Sequence, residues 1–232
     1  HGLIALALTV WIIYTADHLR DARKIRHQAS TRRHRFHQQN FRTMLALLIA
    51  AIVIDTATIF FIRRQVFEWG LLLLAIVIFY LMMHQSLRFL KEFFIAALYT
   101  AGILLLSITT TPLETGMMHY LLIIQFASIA WTNLVLFSWF DHAFDQRDDQ
   151  NSFVTILGKR PTVILLIALF TLNFSLAIIQ ISIGTPLMAV VVLIAMNATL
   201  FLIFLFRKSL EKNEDYRLIG DAIFMLPVLF LI

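Results

Sequence analysis

The residues in this 232-residue chain whose types and spacing could do chemistry are aspartates. Between positions 141 and 149 the sequence reads Asp141-His-Ala-Phe-Asp145-Gln-Arg147-Asp148-Asp149, four carboxylates within nine residues of a chain that holds fourteen acidic residues. Asp141, Asp145 and Asp149 recur at i, i+4, i+8, so a helix carries them one above another on one face. Like charges at that spacing repel and destabilise the helix. The strip therefore asks for a compensating cation, most simply Mg2+, which takes carboxylate oxygens, water and phosphate oxygens together. Asp17 and Asp21 repeat the Asp-x-x-x-Asp spacing near the start of the chain. A solvated loop that marks the end of an apolar run is the plain alternative for either cluster.

Composition sets the elements that must position these groups. Sixty per cent of the residues are hydrophobic and twenty-one are Phe, more apolar surface than the core of a soluble domain this size can hide. The reading is an all-α, polytopic transmembrane helical bundle, treated as a single domain over 1–232, because lipid admits only helices or closed barrels and the alternating period of barrel strands is missing. Eight apolar segments are predicted: Gly2 to Tyr14, Thr43 to Ile62, Gly70 to Leu87, Phe93 to Thr111, Met117 to Phe140, Pro161 to Gln180, Pro186 to Phe206 and Leu218 to Ile232. A span needs about 20 residues, so the first and last are short. Seventeen of the nineteen Lys and Arg residues fall in alternate connections, with only Arg63 and Arg64 on the other side. The positive-inside rule then makes both Asp-rich stretches cytoplasmic in an integral protein of an inner or plasma membrane. The net charge of +5 is this topological signal, and no nucleic-acid binding is read from it. With no cysteine, disulfides and thiolate metal sites are excluded.

Two Asp-rich stretches on one membrane face, each following a span and each flanked by Arg or Lys, resemble the UbiA superfamily of intramembrane prenyltransferases. The stretch Tyr14-Thr-Ala-Asp17-His-Leu-Arg20-Asp21-Ala-Arg23-Lys24 is similar to the family's first motif. The run from Asp141 through Asp145, Arg147, Asp148 and Asp149 to Thr155, Gly158 and Lys159 is similar to the second. The resemblance covers essentially the whole chain. It departs where the leading Asn-Asp pair is not found near Ile13 and Tyr14, and where Arg32-Arg33-His34-Arg35-Phe36-His37 replaces a Pro-containing loop. Family members have nine spans, so the resemblance implies one more ahead of His1.

That likeness implies Mg2+-dependent transfer of a prenyl group from an isoprenyl diphosphate to an aromatic or lipid acceptor within the membrane. It implies Asp17, Asp21, Asp141, Asp145 and Asp149 as metal ligands, with Asp148 as a substitute for Asp149. Arg20, Lys24, Arg33, Lys91, Arg147 and Lys159 are implied as phosphate contacts. Mg2+ on the diphosphate oxygens acts as Lewis acid and template for breaking the allylic C–O bond. Aromatic faces such as Tyr99 can shield the cation left behind, although Trp and Tyr near span ends commonly serve as interfacial anchors. Asp221, one turn inside the last connection, could orient the acceptor or take its proton. Asp55, deeper in its span, reads as a structural hydrogen-bonding partner for a neighbouring helix. His34-x-x-His37 has a metal-ligand spacing but sits among arginines without an obvious third ligand, and is read as a solvated basic face. Two alternatives stay open: a degenerate homologue that binds an isoprenoid or lipid without catalysis, and a transporter using Asp55 and Asp221.

Overall fold

The structure, a computed structural model, describes residues 2–25, 29, 32–83, 90–110, 116–148, 151–211 and 214–229. Every regular element among them is helical: α1 (Gly2–Lys24), α2 (Arg32–Gln39), α3 (Phe41–Thr58), α4 (Arg64–Met83), α5 (Lys91–Thr110), α6 (Met117–Arg147), α7 (Phe153–Leu157), α8 (Lys159–Ser182), α9 (Leu187–Leu205), α10 (Arg207–Leu210), α11 (Asp215–Ala222) and α12 (Leu226–Leu229). Seven of these, α1, α3, α4, α5, α6, α8 and α9, are long and apolar enough to cross a membrane, as in an integral membrane protein.

The predicted eighth span is in pieces. Between 218 and 229 the chain ends α11, passes through a 3-10 turn at Ile223–Met225 and begins α12. Pro227 accounts for the interruption: it has no N–H to give, and its ring crowds the carbonyl four residues back, at Ile223. Pro161, by contrast, lies in the first turn of α8, where an N–H is unpaired anyway. Gly70, predicted at a segment edge, is inside α4, because the helix already starts at Arg64.

The chain divides into two compact units. The first comprises 1–79, 101–112 and 146–150; the second comprises 80–100, 113–145 and 151–232. In the first unit, α1 packs along α3 and carries α2 against it. Thr9 on α1 donates to the Asp55 carboxylate on α3 at 2.8 Å, and Thr58 donates to the same carboxylate at 3.3 Å. Asp55 is thus bonded to a neighbouring helix, as its depth in the span suggested. The outer faces of α3 and α4 carry Ile49, Val53, Leu71 and Phe79, all exposed, which is the surface that lipid rather than water covers.

The second unit holds the main apolar core. Ile129, Leu136 and Phe140 of α6 meet Leu166 and Phe170 of α8, Met196, Leu200 and Ile203 of α9, and Tyr216 of α11. Helix α6 is the centre of that unit, buried along most of its length from Gln125 to Asp141. A chain of amides runs through the same core. Gln180 donates to the Gln125 side chain at 2.7 Å, Gln125 to the Asn173 backbone oxygen at 2.9 Å, and Asn173 to Asn197 at 3.3 Å. Hydrogen bonds of this kind join helices where apolar contact alone cannot distinguish a neighbour from lipid. Gln125→Leu strands the Gln180 amide and the Asn173 carbonyl, and should cost about 1–2 kcal/mol. Gln125→Leu with Gln180→Leu should cost less than the two single changes added, as read from unfolding midpoints in detergent.

Candidate functional site

In the second unit the acidic strip is built on the last turns of α6. A 31-residue helix is about 46 Å long at 1.5 Å per residue. That exceeds the roughly 30 Å of hydrocarbon, so α6 extends past its apolar stretch and carries Asp141 and Asp145 on continuous helix. Asp141 is buried at 6% exposure. Its Oδ1 accepts the Tyr216 hydroxyl, and its Oδ2 takes the Arg217 guanidinium in a close ion pair. Tyr216 lies flat on Phe140, with ring centroids 4.0 Å apart and planes 8° apart. The Arg217 guanidinium sits over Phe137 at 5.4 Å. Burial and the Asp141 charge hold the Tyr216 hydroxyl protonated well above the usual phenol range. Burial by itself would lower the Arg217 pKa, but the Asp141 charge more than offsets this, and the guanidinium stays charged above its usual range.

Around this pair the strip continues. Asp145 is hydrogen-bonded with Ser152 and lies within electrostatic reach of Asp141, Lys91 and Arg217. Glu92, at the start of α5, is buried and accepts the Phe153 N–H at 2.7 Å. The Ser138 hydroxyl of α6 accepts the Val154 N–H at 3.3 Å. Together these bonds receive the first free N–H groups of α7, whose N-cap is Ser152 in a capping box with Thr155. The Thr155 and Gly158 of the second motif accordingly do structural work here: Thr155 closes the capping box, and Gly158 takes φ +89°, a conformation open to glycine. Lys159 is exposed at the start of α8 and acts electrostatically on His142. Tyr99 packs edge-on to Phe224 at 5.2 Å and lies within electrostatic reach of Asp221, which is exposed.

The first acidic pair belongs to the other unit. Asp17 and Asp21 lie on α1, which runs on beyond the predicted apolar segment as one helix. Arg20 binds the Asp17 carboxylate at 2.8 Å and stands 4.0 Å from that of Asp21. Both Arg20 and Asp17 are about one-third exposed, so this pair is screened and weak beside the Asp141 one. Arg147 is exposed and Asp148 is buried in the same unit. Asp149 lies outside the described residues, as do the side chains of Lys24 and Arg33.

The reading of His34 and His37 as a solvated basic face is overturned. Both are buried, at 7% and 6% exposure, and their rings lie 5.5 and 5.1 Å from that of His18 on α1. The reason is the helical spacing itself: His34 and His37 share one face of α2, and α2 turns that face onto α1. His18 also bonds the Tyr14 backbone oxygen at 2.8 Å and stacks on the Tyr14 ring at 4.0 Å.

Sequence reasoning did not single out Tyr216, Arg217 or Glu92. Arg217 entered only as one more basic residue of a connection. A signal was nevertheless there, since Tyr-Arg opens the short helix that follows a charged turn beside the last apolar stretch. No protein-family model, no curated protein and no solved structure matches this chain.

The fit of a divalent ion follows from these contacts. Each oxygen of Asp141 already accepts a bond from a buried donor, and its charge is balanced by Arg217. Among the described residues, no three of His, Cys, Asp and Glu converge to hold a metal. Among the described residues, the second cluster as placed does not offer a preformed Mg2+ centre.

Proposed function

We propose that this chain is an intramembrane isoprenoid-binding protein of the prenyltransferase type. It takes the diphosphate head of an isoprenyl diphosphate at the acidic end of α6 and the hydrocarbon tail among its apolar helices. What supports the reading is that both Asp-x-x-x-Asp sequences lie on helices running on from apolar spans, each with an arginine on its carboxylates: Arg20 on Asp17, and Arg217 on Asp141. Lys91, beside Asp145, and exposed Lys159 are further groups able to meet phosphate oxygens. In this proposal both acidic ends are cytoplasmic, on the side that carries most of the Lys and Arg.

Two forms of this function differ in chemistry. In one, the prenyl group is transferred from the diphosphate to an aromatic or lipid acceptor, and a Mg2+ cofactor would need an Asp141 carboxylate that Arg217 now holds. In the other, the isoprenoid is held without transfer. The occupied oxygens of Asp141 favour the second.

The discriminating experiment is a thermal-shift titration of the detergent-purified protein with farnesyl and geranylgeranyl diphosphate, with Mg2+ or with EDTA, beside an assay for released diphosphate. Ligand bound only by the folded state raises the melting temperature by mass action. A shift is expected, and where it depends on Mg2+ Asp141→Asn with Asp145→Asn should abolish it. A shift that persists in EDTA with no diphosphate release selects holding; a Mg2+-dependent shift with release selects transfer. No shift under either condition discards isoprenoid binding.

A further inference from the structure

We propose that Arg217 is the built-in counter-ion of the second acidic cluster, and that a divalent cation and the Arg217 guanidinium are alternative, mutually exclusive partners of Asp141. Charge and space at Asp141 impose this whatever the protein binds. An acidic strip on a helix face requires a cation. Here one is supplied by the chain itself, from 76 residues further on. The guanidinium cannot be shed by deprotonation. Its side chain is only 15% exposed and that of Asp141 only 9%, so bulk salt screens the pair little.

The helix that delivers Arg217 is also anchored. Tyr216, one residue earlier, is 1% exposed and bonds the other oxygen of the same carboxylate. At the next turn of α11, Gly220 lies so close to α6 that an added Cβ would stand 2.6 Å from Asn133 Oδ1. Arg217 therefore approaches Asp141 on a fixed helix rather than on a free tail. A divalent ion reaching Asp141 would sit against a buried positive charge a few ångströms away, and that repulsion keeps the ion out for as long as Arg217 stays.

The test uses the full chain in detergent with Mg2+ alone and no isoprenoid, so its outcome is separate from that of the isoprenoid titration. Melting temperature is followed against MgCl2 at constant ionic strength, with NaCl as the control. The wild type should show no saturable Mg2+ response. Arg217→Gln should melt lower without Mg2+ and be restored by it, with half-saturation at least about tenfold below any wild-type response, because the repelling charge is gone. The neutral pair Asp141→Asn with Arg217→Gln should fold and be blind to Mg2+. The proposal is overturned if the wild type shows a saturable Mg2+ shift that Asp141→Asn removes, or if Arg217→Gln responds no more strongly than the wild type. It is equally overturned if Arg217→Gln fails to fold with Mg2+ present while the neutral pair folds, since the ion then cannot take the place of the arginine.

Discussion

Arg217→Met should be among the most destabilising single substitutions in the second unit, lowering stability by about 3–5 kcal/mol. The loss is far larger than a surface ion pair would give, because the partner left behind is a carboxylate at 6% exposure, shut off from water and no longer balanced by the guanidinium. Asp141→Leu should cost a similar amount, stranding the guanidinium and also the Tyr216 hydroxyl. The double change Asp141→Leu with Arg217→Met removes both charges and should recover most of the loss, since well-packed apolar groups replace buried ion pairs at little net cost. The measurement is a double-mutant cycle on unfolding midpoints. A coupling under about 1 kcal/mol, the range of exposed pairs, would mean that Arg217 does not rest on Asp141 in the folded protein.

The second large effect is expected at Gly220. An ideal Cβ there would stand 2.6 Å from Asn133 Oδ1 and 2.7 and 2.8 Å from two ring carbons of Phe137. The Asn133 amide could turn aside, but the Phe137 ring could not. It is 8% exposed, edge-on to Tyr216 at 5.8 Å, and covered by the Arg217 guanidinium. Any side chain at 220 must therefore push α11 off α6, at about 1–3 kcal/mol for a methyl or two, and the helix-propensity gain of about 1 kcal/mol does not offset this. Gly220→Val should lower the melting temperature more than Gly220→Ala. Because the displaced helix carries Arg217, both should also acquire a Mg2+ response. Gly102, inside α5, serves as the control: among the described residues its added Cβ would meet only Leu73 Cδ2, at 3.9 Å, so Gly102→Ala should be neutral or slightly stabilising. Equal losses at the two positions would refute the close approach of α11 to α6.

What depends on neighbours a few residues apart was legible in the sequence. The runs of apolar residues specify helices long enough for lipid, because a backbone in hydrocarbon must satisfy its own hydrogen bonds. The i, i+4 spacing puts Asp141 and Asp145 on one face of the continued α6, and the i, i+3 spacing puts His34 and His37 on one face of α2. Pro227 marks where the last apolar stretch breaks, although its apolar composition alone reads as another span. Which distant group each of these faces meets follows from the packing of the folded chain. Asp141 asks for a cation in sequence, and it is the packing of α11 on α6 that brings Tyr216 and Arg217 to it across more than seventy residues. The burial of His34 and His37 depends in the same way on His18 of α1, and the capping of α7 on Glu92, 61 residues before the N–H it accepts. The physical reason is common to all three. Helical periodicity states which side chains share a face, whereas the partner of that face is chosen by close packing and by the penalty on buried charge and unpaired polar groups, which act between segments that share no local pattern.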